Sequence, residues 1–377
     1  MKKVEVGKIV LNNFRSYSSF KEDFSDCKNV VIYGKNGVGK TNILEAVSFL
    51  SIGSGVRKSK FIDVGNVNFE KKSDSDSDSW TVFSEIDFDG DTVKIGTSYP
   101  YLGSKKSKGR IFSVDGSKLS VHSDILDYVR VVSLVPWMDR IFQDSSSDRR
   151  KFFDGFIEQF YRFHNSLLVD YNNMMKQRTK LLKKKKWDKD LILILERGMV
   201  EKAIAIAANR ISYVAKINKL LESVDGLPSV KIVLNGLVEN YLEDNSAADA
   251  EDMFLEKLLK NRDEFRDSYS PFVPGIHRTD FSAFNLDKNI SVDLTSTGEQ
   301  KLVVVSIVLK NIDLIKLNFD VCPVVLIDEA VAHLDSEKKK YFFEMLQSSD
   351  CQCFYTGVSK EFFEDLDTKK TKFLYLV

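Results

Sequence analysis

No stretch of this chain is apolar enough to cross a membrane. The longest apolar runs, such as Val303 through Leu309, fall far below the ~20 residues a spanning helix needs. The opening Met1-Lys2-Lys3-Val4-Glu5-Val6 lacks the apolar core of a signal peptide. Net charge is missing as well: 55 Lys and Arg balance 55 Asp and Glu. Nothing global therefore announces a nucleic acid, and any basic surface has to be local. Cysteine is scarce. Cys27, Cys322, Cys351 and Cys353 are scattered without a paired CxxC spacing, so buried reduced thiols are expected rather than a metal site. No internal repeat is present. These absences leave the expectation of a soluble, cytoplasmic protein without a membrane partner. Its 43% apolar content suffices for a real core, and its 377 residues could hold roughly two to three domains.

What is present is concentrated first in residues 34–41, Gly34-Lys35-Asn36-Gly37-Val38-Gly39-Lys40-Thr41, a complete phosphate-binding P-loop pattern. Val30-Val31-Ile32-Tyr33 before it reads as a buried strand, and Asn42 to Leu50 after it as an amphipathic helix. Glycines let the backbone curl so that successive N–H groups face phosphates at the positive end of a helix dipole. Lys40 is placed to reach the β- and γ-phosphates, and the Thr41 hydroxyl to ligate Mg²⁺. A nucleoside triphosphate with Mg²⁺ is the expected cofactor, lined by Gly34 to Asn42; the resemblances drawn below make it ATP.

The rest of the chain organises around this loop. Val4 to Asn12 alternates as a strand, and Asn13-Phe14-Arg15-Ser16-Tyr17 turns. Short strands with Asp-Gly turns from Trp80 to Val121 predict a β-meander. The acidic Ser/Asp run at 73–79 reads as a solvated loop tip. Beyond Asp148 the pattern becomes helical. Phe152, Phe156, Phe160, Phe163, Leu167, Tyr171 and Met174 recur at helical spacing and predict one helix of up to about forty residues. A second long helix is predicted for Leu191–Leu221, ended by Gly226-Leu227-Pro228, then a strand over Val230–Leu234 and a helix over Ala247–Asn261.

Three later segments supply the remaining chemistry. Val324-Val325-Leu326-Ile327-Asp328-Glu329 is an apolar strand ending in two acids, the form of a Walker B element. Asp328 is the candidate Mg²⁺ ligand and Glu329 the candidate general base for the attacking water. Ala332-His333-Leu334-Asp335 is similar to the D-loop of ABC-type ATPases; His333 reads either as an interface residue or as an ordinary half-buried histidine. Thr295-Ser296-Thr297-Gly298-Glu299-Gln300-Lys301, opening a helix over Leu302–Ile315, is a second anion site made of N–H groups and helix dipole. Against the ABC signature Leu-Ser-Gly-Gly-Gln, Ser296 and Gly298 coincide, whereas Thr295, Thr297 and Glu299 replace the usual residues. That resemblance makes Ser296, Gly298 and Glu299 candidate contacts to a γ-phosphate held by another copy. A chain with one P-loop and one signature cannot close its own site, so two copies are predicted to enclose two ATP molecules in a two-fold dimer.

Taken in order, the motifs resemble the RecF family of recombination and gap-repair ATPases, relatives of the SMC and Rad50 heads. They are Asn13 to Tyr17, the P-loop with Thr41 to Ala46, Leu50 to Gly53, Arg149 to Asp154, Pro274 to Asp280, Ser296 to Lys301 and Asp328 to Asp335. Residues 180–270 match only in helical character, and the run at 73–79 is an addition. The resemblance implies an α/β, ABC-type (Rad50-head-like) P-loop ATPase with an inserted helical arm. Residues 1–147 and 274–377 would form the ATPase halves and 148–273 the arm. It further implies an ATP-driven homodimer on duplex DNA and on single-strand/duplex junctions, with slow, DNA-stimulated hydrolysis. RecO- and RecR-type mediators would assist in loading RecA at gaps, supporting replication restart and the SOS response. Arg15 is carried over as a nucleotide-phosphate contact, and His277 and Arg278 are expected near the junction of the ATPase lobes. Arg149-Arg150 could touch DNA or form salt bridges.

One local stretch suits phosphate contact without sequence readout. Lys176, Arg178, Lys180, Lys183, Lys184, Lys185, Lys186 and Lys189 lie within fourteen positions, opposed by Asp188 alone. The commoner reading of such a run is a solvated helix end. Lys183 to Lys186 are the first DNA-binding candidates, and Arg57 and Lys58, in the Arg57-Lys58-Ser59-Lys60 loop, the second. A transporter-type ATPase is the main alternative, but 256 positions separate Lys40 from Ser296 and the intervening helices are long and basic. Another SMC-like head needs a heptad coiled coil that is absent. An ABC-type nuclease needs a further domain, and only 49 residues follow Asp328. Glu329 argues against a clamp that never hydrolyses ATP.

Overall fold

The structure, a computed structural model, describes residues 1–66, 79–100, 109–184, 186–224, 226–267, 273–329 and 336–377. Residues 73–78 of the acidic run, Lys185 and the D-loop-like segment with His333 and Asp335 lie outside the described residues. The chain divides into two compact units, Met1–Met138 with Asn311–Val377, and Asp139–Lys310.

The first unit contains β1 (Val4–Phe14), β2 (Tyr17–Asp23), β3 (Asn29–Gly34), α1 (Lys40–Ser48), β4 (Ser79–Phe88), β5 (Asp91–Pro100), β6 (Ile111–Val114), β7 (Ser117–Lys118) and β8 (Val131–Leu134). The antiparallel sheet runs β2-β1-β4-β5-β6-β7. Along β4, Trp80, Val82, Ser84 and Ile86 are buried while their neighbours are half-buried or, at Asp87, exposed, the alternation of a sheet with one core face. The expected meander is present. Its two tight turns, Asp89-Gly90 and Asp115-Gly116, have positive φ at both residues, as hairpins of this length favour.

The second unit holds α2 (Ser146–Ile157), α3 (His164–Leu182), α4 (Lys189–Leu221), β9 (Val230–Asn235), α5 (Leu237–Asp244), α6 (Ala247–Asp267), β10 (Asp280–Asn285), β11 (Ile290–Ser291) and the start of α7 (Thr297–Phe319). Here the aromatic stripe departs from expectation: it is two helices, broken between Ile157 and His164. Its halves serve different neighbours. Phe153 on α2 stacks on Phe281 of β10, whereas Tyr171 on α3 packs with Met199, Ala203 and Phe254. Phe163, at the break, is 63% exposed, so the seven residues do not share one face. The Ala-rich middle of α4 lets α3 come close: Ala203 and Ala207 are fully buried, and a Cβ on Gly198 would lie 2.8 Å from the Met174 sulfur.

The division between units falls at Met138/Asp139 and Lys310/Asn311, not at 147/148 and 273/274. Residues 139–147 and 274–310 make their ties within the second unit. Lys301 pairs with Asp139 at 3.1 Å, Arg149 grips Asp280 with two hydrogen bonds of 2.7 and 2.8 Å, and β10 pairs with β9. Arg150 donates to the Thr279 carbonyl. Of the two readings for Arg149-Arg150, the structure supplies the salt bridge for Arg149 and a backbone hydrogen bond for Arg150.

The chain returns to the first unit with β12 (Val324–Asp328), α8 (Ser336–Ser348), β13 (Cys353–Gly357) and β14 (Thr371–Leu376). These complete a sheet of order β14-β3-β13-β12-β8 in which every pairing is parallel. β12 and β13 are buried along their whole length, as their unbroken apolar runs require of parallel strands. The order places β13 between the strand leading to the P-loop and the strand ending in Asp328. Open parallel sheets bind ligands at the carboxyl ends of such strands. Cys322, Cys351 and Cys353 are buried free thiols, and burial pushes the Cys353 thiol up to about 12.

Candidate nucleotide site

The loop after β3 has the backbone its glycines predict. Gly34, Gly37 and Gly39 have φ of 152°, 90° and 101°, values that favour residues without a Cβ. Two of them are also crowded. A Cβ on Gly34 would stand 2.4 Å from the Leu376 carbonyl oxygen, and one on Gly39 2.8 Å from the Tyr17 hydroxyl. Around Gly37 there is open space, where a ligand can approach the backbone. Lys35, Asn36 and Gly37 are exposed, Val38 is half-buried, and Gly39 N-caps α1.

The hairpin tip between β1 and β2 leans on this loop. Phe14 pairs with Tyr17, so Arg15 and Ser16 form a two-residue turn. The Asn42 amide donates to the Ser16 hydroxyl at 2.8 Å, and Tyr17 donates to the Gly39 carbonyl at 3.3 Å. Arg15 is committed elsewhere: its guanidinium grips both oxygens of buried Glu45 at 2.7 Å, and donates to Ser59 and to the Asp63 carbonyl. It braces α1 against the following loop rather than reaching for the phosphate-binding turn.

The Lys40 ammonium folds onto the loop, donating to the Gly34 and Lys35 carbonyls at 2.7 and 3.1 Å and to Asn36 Oδ1 at 3.4 Å. It lies 3.9 Å from Glu329 Oε1. The Thr41 hydroxyl approaches both oxygens of Asp328, at 3.0 and 3.1 Å. P-loop lysine, hydroxyl, acid and candidate base, drawn from segments nearly 290 positions apart, thus converge at the ends of β3 and β12. Sequence reasoning missed one member. Thr356, at the end of β13, donates to Asp328 Oδ1 at 2.6 Å and accepts from the Glu329 backbone N–H at 3.1 Å. Its only sequence signal is a Thr-Gly pair ending a buried apolar strand. Glu329 adopts φ of 50°, a left-handed conformation costing a non-glycine residue about 1–2 kcal/mol.

These residues fit the cofactor expected from them. Mg²⁺ takes one or two oxygen ligands from protein and the rest from phosphate and water. Thr41 and Asp328 already share a contact, and there is open space beside the Gly37 backbone.

The signature segment belongs to the second unit and forms a reciprocal helix cap. The Glu299 N–H donates to the Ser296 hydroxyl at 3.4 Å, and the Ser296 N–H donates to Glu299 Oε2 at 3.3 Å, the pairing of a capping box. Lys288 pairs with Glu299, and that hydrogen bond first of all lowers the Glu299 carboxyl pKa. Ser296, Thr297 and Gly298 are exposed, and a Cβ on Gly298 would meet nothing within 4 Å.

Of the basic candidates, Arg57, Lys58, Lys183, Lys184 and Lys186 are exposed. The Lys58 ammonium sits 3.3 Å from the centre of the Trp137 ring, a cation–π contact. Arg178, counted in the basic run, is fully buried and pairs with Glu196 at 2.8 Å, so it belongs to the core. The Pro274 to Asp280 motif is framework too. Gly275 has φ of 142° and leaves room for the Tyr171 hydroxyl, Ile276 accepts from Arg210, and Thr279 donates to Glu239. His277 meets Tyr171 at 3.3 Å.

Residues 5–374 match the family described as RecF/RecN/SMC N terminal domain. A DNA replication and repair protein RecF from Agrobacterium fabrum is 32% identical over 368 residues, 97% of this chain and 95% of that one. One from Mesorhizobium japonicum is 31% identical over 96% of this chain and 93% of its own length. The chain belongs to the RecF family. A solved structure described as the recombination mediator protein RecF-ATP in RecFOR pathway superposes with a TM-score of 0.79 at 25% identity, covering 97% of this chain and 96% of that one. The RecF fold is thus the α/β, ABC-type ATPase fold expected above. Of the motifs that carried the resemblance, Asn13 to Tyr17, the P-loop and Asp328-Glu329 meet at the site, and Arg149 to Asp154 and Pro274 to Asp280 belong to the framework of the second unit. Among the described residues, no helix is long and apolar enough to cross a membrane.

Proposed function

We propose that this protein is an ATP-dependent DNA-binding protein of recombinational gap repair, which dimerises on ATP and hydrolyses it slowly. The family membership and the convergence of Lys40, Thr41, Asp328 and Glu329 support the ATPase part. On this reading Lys40 leaves the loop carbonyls for the β- and γ-phosphates, and Thr41 and Asp328 hold Mg²⁺. When bound, Mg²⁺ supplies charge neutralisation for the departing phosphate. Glu329 takes the proton of the attacking water, a task that requires only hydrogen-bond reach. Arg15 acts indirectly, by holding α1 through Glu45.

The observation that carries the dimer is Gly298. Its φ is not positive, and among the described residues no atom lies within 4 Å of where its Cβ would be. Glycine in a helix loses roughly 0.5–1 kcal/mol relative to alanine, and its use at an exposed helix start is consistent with the close approach of another molecule there. The exposed helix start at Ser296 to Gly298, with Leu294 70% exposed beside it, is the face offered. A second copy's P-loop, with its nucleotide phosphate, is the ligand this N-terminus suits. DNA, RecO and RecR are the partners by family relationship, and RecA loading, replication restart and the SOS response the pathway roles.

Light scattering on Glu329→Gln with saturating ATP and Mg²⁺ tests the dimer: its mass should double, and it should stay monomeric without nucleotide. Ser296→Arg in that background should bind ATP and remain monomeric. A monomeric Glu329→Gln with ATP, or a dimer of the Ser296 variant as stable as its parent, sinks the enclosed-nucleotide arrangement.

A further inference from the structure

We propose that Thr356 is the positioning residue that holds Glu329 and Asp328 in register for hydrolysis; this rests on the ATPase reading of the site. β13 lies between β3 and β12, and Thr356 is the register partner of Asp328 on one side and of Ile32 on the other. It is buried. A hydroxyl carries one proton and two acceptor lone pairs. Thr356 gives the proton to Asp328 Oδ1 at 2.6 Å and offers a lone pair to the Glu329 N–H at 3.1 Å.

Each bond has its own consequence. The first fixes the rotation of the Asp328 carboxylate. With Thr41 donating from the P-loop side, the acid is held between two hydroxyls instead of turning freely. The second is made where the strand ends and the backbone turns to φ of 50°. β12 pairs with β13 only as far as Asp328, so the Thr356 hydroxyl extends the hold by one residue to the turn that aims the Glu329 side chain. Neither bond reaches the expected nucleotide. Loss of the hydroxyl should therefore spare binding and impair the step in which Glu329 must face water, where small misplacements cost up to about a hundredfold.

Thr356→Val keeps shape and burial and removes both bonds; Thr356→Ser restores them. The measurements are steady-state hydrolysis, binding of a fluorescent ATP analogue with Mg²⁺, and the lifetime of the ATP-bound dimer after dilution. The valine variant should lose about tenfold to a hundredfold in kcat, with analogue affinity and KM within about twofold of wild type. Its dimer should outlast the wild-type dimer, as that of Glu329→Gln should. The serine variant should behave as wild type in all three. Thermal melting without nucleotide checks folding; if the valine variant does not fold, Thr356→Ala carries the same expectation.

Wild-type kcat in the valine variant overturns the inference, as does equal impairment of the valine and serine variants, which would make shape rather than hydrogen bonding the cause. Loss of analogue binding in proportion to kcat also overturns it, by making Thr356 a structural part of the binding site. A wild-type protein that hydrolyses no ATP, with or without DNA, overturns the ATPase reading itself and is distinguishable from the other results.

Discussion

Lys40 illustrates how one side chain can serve two states of a loop. Its ammonium is buried, and without partners that burial would be costly; three oxygens of the P-loop satisfy it. Lys40→Met removes the cation and leaves those carbonyls without a donor. We expect it to weaken nucleotide binding beyond detection in a fluorescence titration while the thermal midpoint changes little. Normal binding by the variant would contradict the role given to Lys40. His277 allows a prediction about pH. Burial first, then the charges of Arg278 and Arg150, push its pKa down to about 4 from the usual 6.5. The native imidazole is neutral at neutral pH, and below about pH 6.5 the unfolded chain takes up the proton first. The associated stability is intact above about pH 6.5 and is lost as pH falls toward 4, a loss of at most about 3 kcal/mol. In denaturant melts the stability of wild type relative to His277→Gln should therefore fall between pH 7 and pH 4, by up to about 3 kcal/mol. A constant difference across that window would show that His277 is not held neutral by the fold.

At the scale of elements, the second unit is tied by buried charge as well as by apolar packing. Glu196 on α4 receives Arg178 from α3 at 2.8 Å and Arg262 from α6 at 3.1 Å, while Arg178 also donates to the Leu258 carbonyl. Arg210 on α4 joins Asp154 on α2 to Glu239 on α5 in the same way; against the opposing effect of burial, Arg210 and His164 hold the Asp154 carboxyl at about 2. Removing one partner from such a group leaves buried charge uncompensated. Glu196→Leu should cost about 3–5 kcal/mol, and Arg178→Met combined with it should recover part of that loss, both read from the midpoint of helix loss on denaturation. A double variant less stable than Glu196→Leu would contradict the account. These ties also mark what was legible in the sequence. The P-loop, its flanking strand and helix, the Asp-Gly hairpins, α4 and the strand ending in Asp328 are written in local pattern, and all are present. Arg178 was read with the lysines around it because its partner lies on another helix. Arg15 was read toward phosphate because Glu45 lies two strands and the P-loop away. Thr356 was missed because its partner, Asp328, becomes its neighbour only through strand order. Periodicity carries elements; it does not carry the choice of non-local partners, which decides whether a charged side chain faces solvent or closes a core.

For the whole molecule, the balance of 55 basic and 55 acidic residues requires any DNA surface to be a local departure from neutrality. The end of α3 is the strongest such departure, with Lys176, Lys180, Lys183, Lys184 and Lys186 exposed. Arg178, turned inward, anchors that helix end to α4 and α6, so the lysines are presented from a fixed support rather than a frayed one. Contacts of this kind release counterions, and each neutralised phosphate adds about 0.9 to the slope of log affinity against log salt. If Lys183, Lys184 and Lys186 each meet a phosphate, changing all three to Gln should flatten the slope by up to about 2.7 and weaken binding uniformly across sequences. Arg57→Gln should flatten it by about one if that loop contributes, and Lys58→Gln by less, because the Trp137 ring already engages its ammonium. Duplex, gapped and single-stranded DNA titrated across a salt series, with ATP and the Glu329→Gln background to hold the dimer, separate these contributions. Both copies of a two-fold dimer present the patch, so the change in slope should approximately double when ATP is added, provided both patches face the same DNA. A triple variant with an unchanged slope would return the lysine run to the solvated helix end that such runs usually are, and would move the search to the Arg57 loop.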